Sequence, residues 1–119
     1  MLRRLTLPVV VAAVASVLLV PAAAQAGPPK LVATVGPGFT ISLTQGGKSV
    51  KALKAGTYTV TVRDKSNIHN FRVSGKGVNK DSGVVPVRNL TWTVKLAKGT
   101  YRYVCDPHAS SMNGSFRVT

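Results

Sequence analysis

Apolar and polar residues alternate along most of the chain with the two-residue period of strands that bury one face. The clearest run is residues 57–62, where Tyr58, Val60 and Val62 fall on one side and threonines on the other. Leu90, Trp92, Val94 and Leu96 alternate in the same way with Thr91, Thr93 and Lys95. Residues 30–35 read as a first strand, ended by Gly36-Pro37-Gly38, and Phe39-Thr40-Ile41-Ser42-Leu43 resumes the alternation. Gln45-Gly46-Gly47-Lys48 is a turn. Asp64-Lys65-Ser66-Asn67 turns the chain into Ile68-His69-Asn70-Phe71-Arg72-Val73, which places His69 at the head of a strand.

Residues 74–89 are rich in Gly, Lys and Asn and read mainly as a long loop, with a short strand at Val84-Val85. Lys98-Gly99 is a turn into a strand over residues 100–105, and residues 114–119 form the last one. Helical spacing is confined to residues 48–54, where lysines recur every third position. Gly46-Gly47 and Gly56 bracket that stretch too tightly for more than one irregular turn. Short strands separated by Gly/Pro/Asn turns predict an all-β sandwich. A chain of this size buries a modest core, so Trp92, Phe39, Phe71, Phe116 and the tyrosines are expected to dominate it.

The beginning of the chain follows a different pattern. Arg3 and Arg4 precede an almost wholly apolar run from Leu5 to Val20, and Ala24-Gln25-Ala26 has the small residues of a cleavage site. Residues 1–26 are therefore expected to be a secretory signal, and residues 27–119 one domain of about 93 residues, with no internal repeat. The alternative is an uncleaved anchor, because Leu5 to Ala24 is about long enough to span a bilayer. The expected location is exported: periplasmic, cell-envelope or extracellular.

Export gives the single cysteine meaning. Exported chains use cysteine mainly in pairs, and a lone thiol outside the cell tends to oxidise. Metal ligation resolves that difficulty. Charge adds a second constraint: the chain carries +13, and +11 once Arg3 and Arg4 are removed with the leader, against only Asp64, Asp81 and Asp106. Such a balance suits an acidic partner or an anionic envelope surface. No RNA-binding aromatic motif, zinc finger or helix-turn-helix pattern accompanies it, so no nucleic acid is expected.

The candidate chemistry lies in Cys105-Asp106-Pro107-His108-Ala109-Ser110-Ser111-Met112. Two residues separate Cys105 from His108, and three separate His108 from Met112. His69 is the only other histidine. Singly, each of these residues has an ordinary structural explanation. Together they make the His₂Cys set with a methionine that suits a mononuclear copper electron-transfer site. Zinc bound by Cys-His-His plus water is the competing possibility. Methionine is a poor zinc ligand, however, and the chain has no glutamate to act as a base. No histidine remains for a second copper centre either, which argues against an oxidase or a nitrite reductase, and the protein is not expected to be an enzyme.

The chain resembles the cupredoxins, in particular the small plastocyanin-like and amicyanin-like members. The resemblance rests on Asp64-Lys65-Ser66 leading to His69-Asn70-Phe71 and on Lys98-Gly99-Thr100-Tyr101. It extends to Val104-Cys105-Asp106-Pro107-His108, Met112 and Gly114-Ser115-Phe116. It implies a single-domain Greek-key β-sandwich holding one type 1 copper ion. His69, Cys105 and His108 would be its equatorial ligands and Met112 the weak axial one. Asn70 would tie the two ligand-bearing segments together, and Pro107 would stiffen the loop. The spacer before the methionine has four residues in plastocyanins and two in amicyanins, against three here.

The resulting expectation is an exported, monomeric copper protein that passes single electrons between redox partners, with His108 in an apolar docking patch and the basic residues attracting an acidic partner. A copper carrier without redox cycling is one alternative. A metal-free basic sandwich bound to the cell envelope is the other.

Overall fold

The computed structural model describes residues 8–19 and 27–119. The expected cleavage motif at residues 24–26 and the arginines at 3 and 4 lie outside the described residues. Residues 8–19 have no regular secondary structure, and their apolar side chains are exposed rather than packed on the domain. Among the described residues, no helix is long and apolar enough to cross a membrane.

Ten strands are described: β1 (Lys30–Val35), β2 (Ile41–Gln45), β3 (Lys48–Ser49), β4 (Ala52–Leu53), β5 (Gly56–Asp64), β6 (Arg72–Gly75), β7 (Val78–Asp81), β8 (Arg88–Leu96), β9 (Gly99–Val104) and β10 (Asn113–Val118). They form two five-stranded sheets, ordered β3-β2-β1-β5-β8 and β4-β10-β9-β6-β7. The chain crosses repeatedly between the sheets, which is how alternating faces from both come to share one core. Most neighbours are antiparallel, but β1 runs parallel to β5 and β4 parallel to β10. The expected all-β sandwich is the observed fold.

Alternation translates directly into burial. In β5, Tyr58, Val60, Val62 and Asp64 point inward between exposed or half-buried neighbours. In β1, Leu31, Ala33 and Val35 do the same. The second sheet contributes an aromatic column. Phe71 stacks on Tyr103 with centroids 5.5 Å apart, and Tyr101 stacks on Phe116 at 5.4 Å. Tyr101 satisfies its buried hydroxyl twice, donating to the Lys76 carbonyl and accepting from the Ala97 N–H. Gly114 makes room for this column: a Cβ there would run into the Tyr103 ring.

Four details differ from the sequence expectation. Phe39 precedes β2 and is 63% exposed, outside the core, because the Gly36 N–H bonds the Thr40 carbonyl and bends the chain before the strand begins. Trp92 is only half-buried. Residues 48–54 form no helical turn; two short strands pass from one sheet to the other there, burying Val50 and Leu53. The supposed long loop after residue 74 contains β7, which pairs with β6 as a hairpin about Lys76-Gly77, while Val84-Val85 is not a strand.

Candidate metal centre

Strand register places the site at one end of the sandwich. Val35 lies opposite Asp64 and Asp64 opposite Arg88 in the first sheet. In the second, Arg72 lies opposite both Val104 and Asp81, and Asn113 opposite Val104. The connections leaving these positions carry His69, Cys105, His108 and Met112.

His69 sits in the segment before β6, not within a strand. A chain of local bonds builds this approach: the Ser66 N–H donates to Asp64 Oδ1, and the Ile68 N–H donates to Ser66 Oγ. Phe71 and Ser82 then bind each other through backbone and hydroxyl, fixing the segment against the end of β7. Gly36 closes the other side. Its φ of +73° suits glycine, and a Cβ there would meet Ser66 Cβ at 2.8 Å and His69 Cδ2 at 3.3 Å.

Cys105 follows β9 directly, and Asp106–His108 form a single 3₁₀ turn with Pro107 inside its first positions. The loop is closed at its base: the Cys105 N–H donates to the Met112 carbonyl at 3.0 Å, and the Met112 N–H to the His108 carbonyl at 2.8 Å. Asn113 Nδ2 adds a bond to the Ala109 carbonyl. The side chains of Cys105 and Met112 are completely buried.

Both histidines turn the same ring atom toward the sulfur. His69 Nδ1 and His108 Nδ1 each lie 3.6 Å from Cys105 Sγ and 3.1 Å from each other. Among the described residues, these three form the one group of histidine, cysteine and carboxylate atoms close enough to share a metal ion. His69 is fully buried, and its Nε2 has no hydrogen-bond partner. On its Nε2 side the ring is therefore held by packing. Phe39 meets the rings of His69 and His108 edge-on, at centroid distances of 5.3 and 4.9 Å.

Asn70 joins the segment that carries His69 to the one that carries Cys105. Its Oδ1 accepts the Asp106 N–H at 2.7 Å, and its Nδ2 donates to Asp106 Oδ2 and Asp81 Oδ1 at the same distance. Arg72 spans the same two carboxylates. Burial alone would push the Asp81 pKa up, but the Asn70 bond, the Gly83 N–H and Arg72 outweigh it and hold it below its ordinary value. For Arg72, the Asp106 hydrogen bond outweighs slight desolvation and raises the pKa.

The donor chemistry discriminates between metals. One thiol and two imidazoles converge in a triangle with no carboxylate among them, since Asp106 faces Asn70 and Arg72. Trigonal His₂Cys sites of this kind suit copper. Phe39, Arg72 and Asp81 were not legible as parts of the site. Phe39 shares the alternation of β2, and Arg72 and Asp81 are brought there only by strand pairing.

No family model matches the chain. Amicyanin-alpha of Methylorubrum extorquens is 46% identical over 61 residues, which cover 50% of this chain and 50% of that protein. The chain is thus matched over about half the length of this curated relative. Among solved structures, rusticyanin from Thiobacillus ferrooxidans aligns with a TM-score of 0.54 at 28% identity, covering 76% of both chains. A rusticyanin variant aligns with a TM-score of 0.58 at 27% identity, again over 76% of both. The shared sandwich and the sequence match to amicyanin support a place among the cupredoxins. The Nδ1–Nδ1–Sγ triangle lies where β9 runs into the β9–β10 loop, and the donor set fits a single type 1 copper ion.

Proposed function

We propose that this chain is a cupredoxin that carries single electrons between redox partners through one copper ion. His69, Cys105 and His108 would hold the ion, with Met112 as the weak axial ligand. The observation that carries this reading is the convergence of the two Nδ1 atoms on Cys105 Sγ. Copper bound there would supply a one-electron Cu(II)/Cu(I) couple, with the thiolate and thioether favouring Cu(I) and imidazole accepting both states.

The chain's own residues supply rigidity and exclusion of water. The closed loop from Cys105 to Met112, the Asn70 bridge and the packed His69 ring all limit rearrangement on changing oxidation state. Cys105, His69 and Met112 are inaccessible to solvent, whereas His108 is half-exposed. Electrons would therefore enter and leave by His108, with Phe39 beside it. A redox carrier of this kind is not an enzyme: it converts no substrate.

Charge distribution supports an acidic partner. None of the three aspartates is left free at the surface: Asp64 is buried, while Asp81 and Asp106 share Arg72. Basic residues thus meet no free carboxylate on the surface, which favours fast, salt-sensitive association with an acidic protein. Rusticyanin, described as a copper protein, has the same fold. Export, with residues 1–26 as the signal, and a monomeric state belong to the same reading.

The test is to add Cu(II) to the full chain and record the visible spectrum. An intense blue thiolate-to-copper band with one ion per chain, abolished in Cys105→Ser, is the expected outcome. Failure to take up stoichiometric copper would overturn the reading. A copper protein with no reversible one-electron couple would instead be a carrier of the ion.

A further inference from the structure

Four side chains beside the ligand loop close into a ring. Asn70 Nδ2 donates to Asp106 Oδ2 and Asp81 Oδ1, both at 2.7 Å. Arg72 completes the circuit, through Nε to Asp106 Oδ2 at 2.9 Å and Nη2 to Asp81 Oδ2 at 3.1 Å. Two further bonds brace it: Arg72 Nη1 to Asn79 Oδ1, and the Gly83 N–H to Asp81 Oδ1. Asn70 adjoins His69, and Asp106 adjoins Cys105. Each of these ligands is thus one residue from a ring member.

One peptide unit receives most of this bracing. The Asp106 N–H belongs to the Cys105–Asp106 peptide and donates to Asn70 Oδ1 at 2.7 Å. The carbonyl of the same peptide, that of Cys105, accepts the His108 N–H at 3.0 Å. Held at both ends, that plane fixes the backbone torsion next to the cysteine and so the direction in which Sγ points.

Global stability does not explain the ring. The paired side chains are 31–43% exposed, and ion pairs at that exposure contribute little to folding. What the ring does supply is geometric specification, since a guanidinium fork and an amide together admit few arrangements of two carboxylates. It also places a net negative charge beside the sulfur, two carboxylates against one guanidinium.

We propose that Arg72, Asp81 and Asp106 are positioning residues for the metal centre, holding the Cys105–Asp106 peptide plane and setting the local charge felt at Cys105. The proposal rests on the copper reading for its redox consequence but not for its structural one. Removing Arg72 leaves Asp106 uncompensated and favours Cu(II). Removing the Asp106 charge leaves Arg72 paired with Asp81 alone, cancels the net negative charge of the ring and favours Cu(I). The two changes act in opposite directions on one potential.

The experiment compares Arg72→Met, Arg72→Lys, Asp106→Asn, Arg72→Met/Asp106→Asn and Arg117→Met in the full chain. Arg117 is exposed on β10, pairs with Thr100 and Ala52 away from the ring, and controls for net charge. In the copper-free protein, Arg72→Met and Arg72→Lys should speed hydrogen exchange at the Asp106 amide about tenfold, the scale of one charge-assisted bond. Arg117→Met should leave it unchanged. In the copper-loaded protein, Arg72→Met should lower the reduction potential and Asp106→Asn raise it. The double variant should return toward wild type, and Arg72→Lys, which keeps the charge, should stay near it.

Equal exchange in Arg72→Met, Arg72→Lys and Arg117→Met would overturn the positioning role. Shifts of the same sign in Arg72→Met and Asp106→Asn would overturn the charge role. A wild-type chain that binds no copper would overturn the function proposed above, while the exchange measurements would still decide the ring.

Discussion

Phe39 stands edge-on to His108 with ring centroids 4.9 Å apart, yet 63% of its surface remains open to solvent. A core phenylalanine would be covered on all sides; this one covers two imidazoles and is itself uncovered. Phe39→Ala should therefore cost less than about 1 kcal/mol of stability, far below the 3–5 typical of a buried phenylalanine. Loss of copper to a competing chelator should become several-fold faster, because water then reaches both rings. Chelator kinetics beside urea unfolding separate the two effects; a large stability loss with unchanged release would assign Phe39 to packing alone.

Met112 lies wholly buried at the base of the ligand loop, its backbone bonded to both Cys105 and His108. Met112→Gln should keep the copper but supply a harder oxygen donor that favours Cu(II). The reduction potential should fall by at least about 60 mV, a tenfold change in relative affinity for a one-electron couple. Voltammetry that returned the wild-type potential would tell against axial ligation by Met112.

Gly114 faces the Tyr103 ring where β10 leaves the metal end. Gly114→Ala should overpack that contact and destabilise the fold by about 1–3 kcal/mol. The urea midpoint reports it, and an unchanged midpoint would mean that the Tyr103–Phe71 stack yields without cost.

Two carboxylates should give the copper-free protein opposite pH dependences on either side of their ordinary pKa of 3.8. Asp81 is held below that value in the folded state, so its stabilisation is present above 3.8 and lost as the pH falls through the folded pKa. Asp64 is raised by burial, against the Ser66 N–H, Arg88 and His69. It retains its proton longer when folded, so stability declines as the pH rises from 3.8 toward its folded pKa. Thermal unfolding across the acid range should show Asp81→Asn flattening the first slope and Asp64→Asn the second. Unaltered slopes would remove these groups from the linkage.

The convergence of His69, Cys105 and His108 was legible because such donors are so scarce here: one cysteine and two histidines leave a single arrangement to consider. The boundaries of β1 were legible too, since Gly36-Pro37 stops any strand. Other features depend on partners remote in sequence. Arg72 meets Asp106 across 34 positions, and only the pairing of β6 with β9 brings them together. Strand β7 carries Asn79, Lys80 and Asp81 with little apolar content, and exists because β6 offers it an edge. Phe39 kept the phase of Ile41 and Leu43, but phase alone does not show where a loop ends.

The parallel placement of β1 beside β5 also puts the two ends of β1 at different distances from the metal end. Strand β1 starts at Lys30 and ends at Val35, next to the metal end, after a rise of about 20 Å for six residues. Residues preceding Lys30 therefore join the domain away from His108. A chain tethered through its leader would turn its redox tip outward, like a lamp on a stalk, and one freed by cleavage would lose nothing from that tip. A tether and a redox partner would thus meet opposite ends of the same strand.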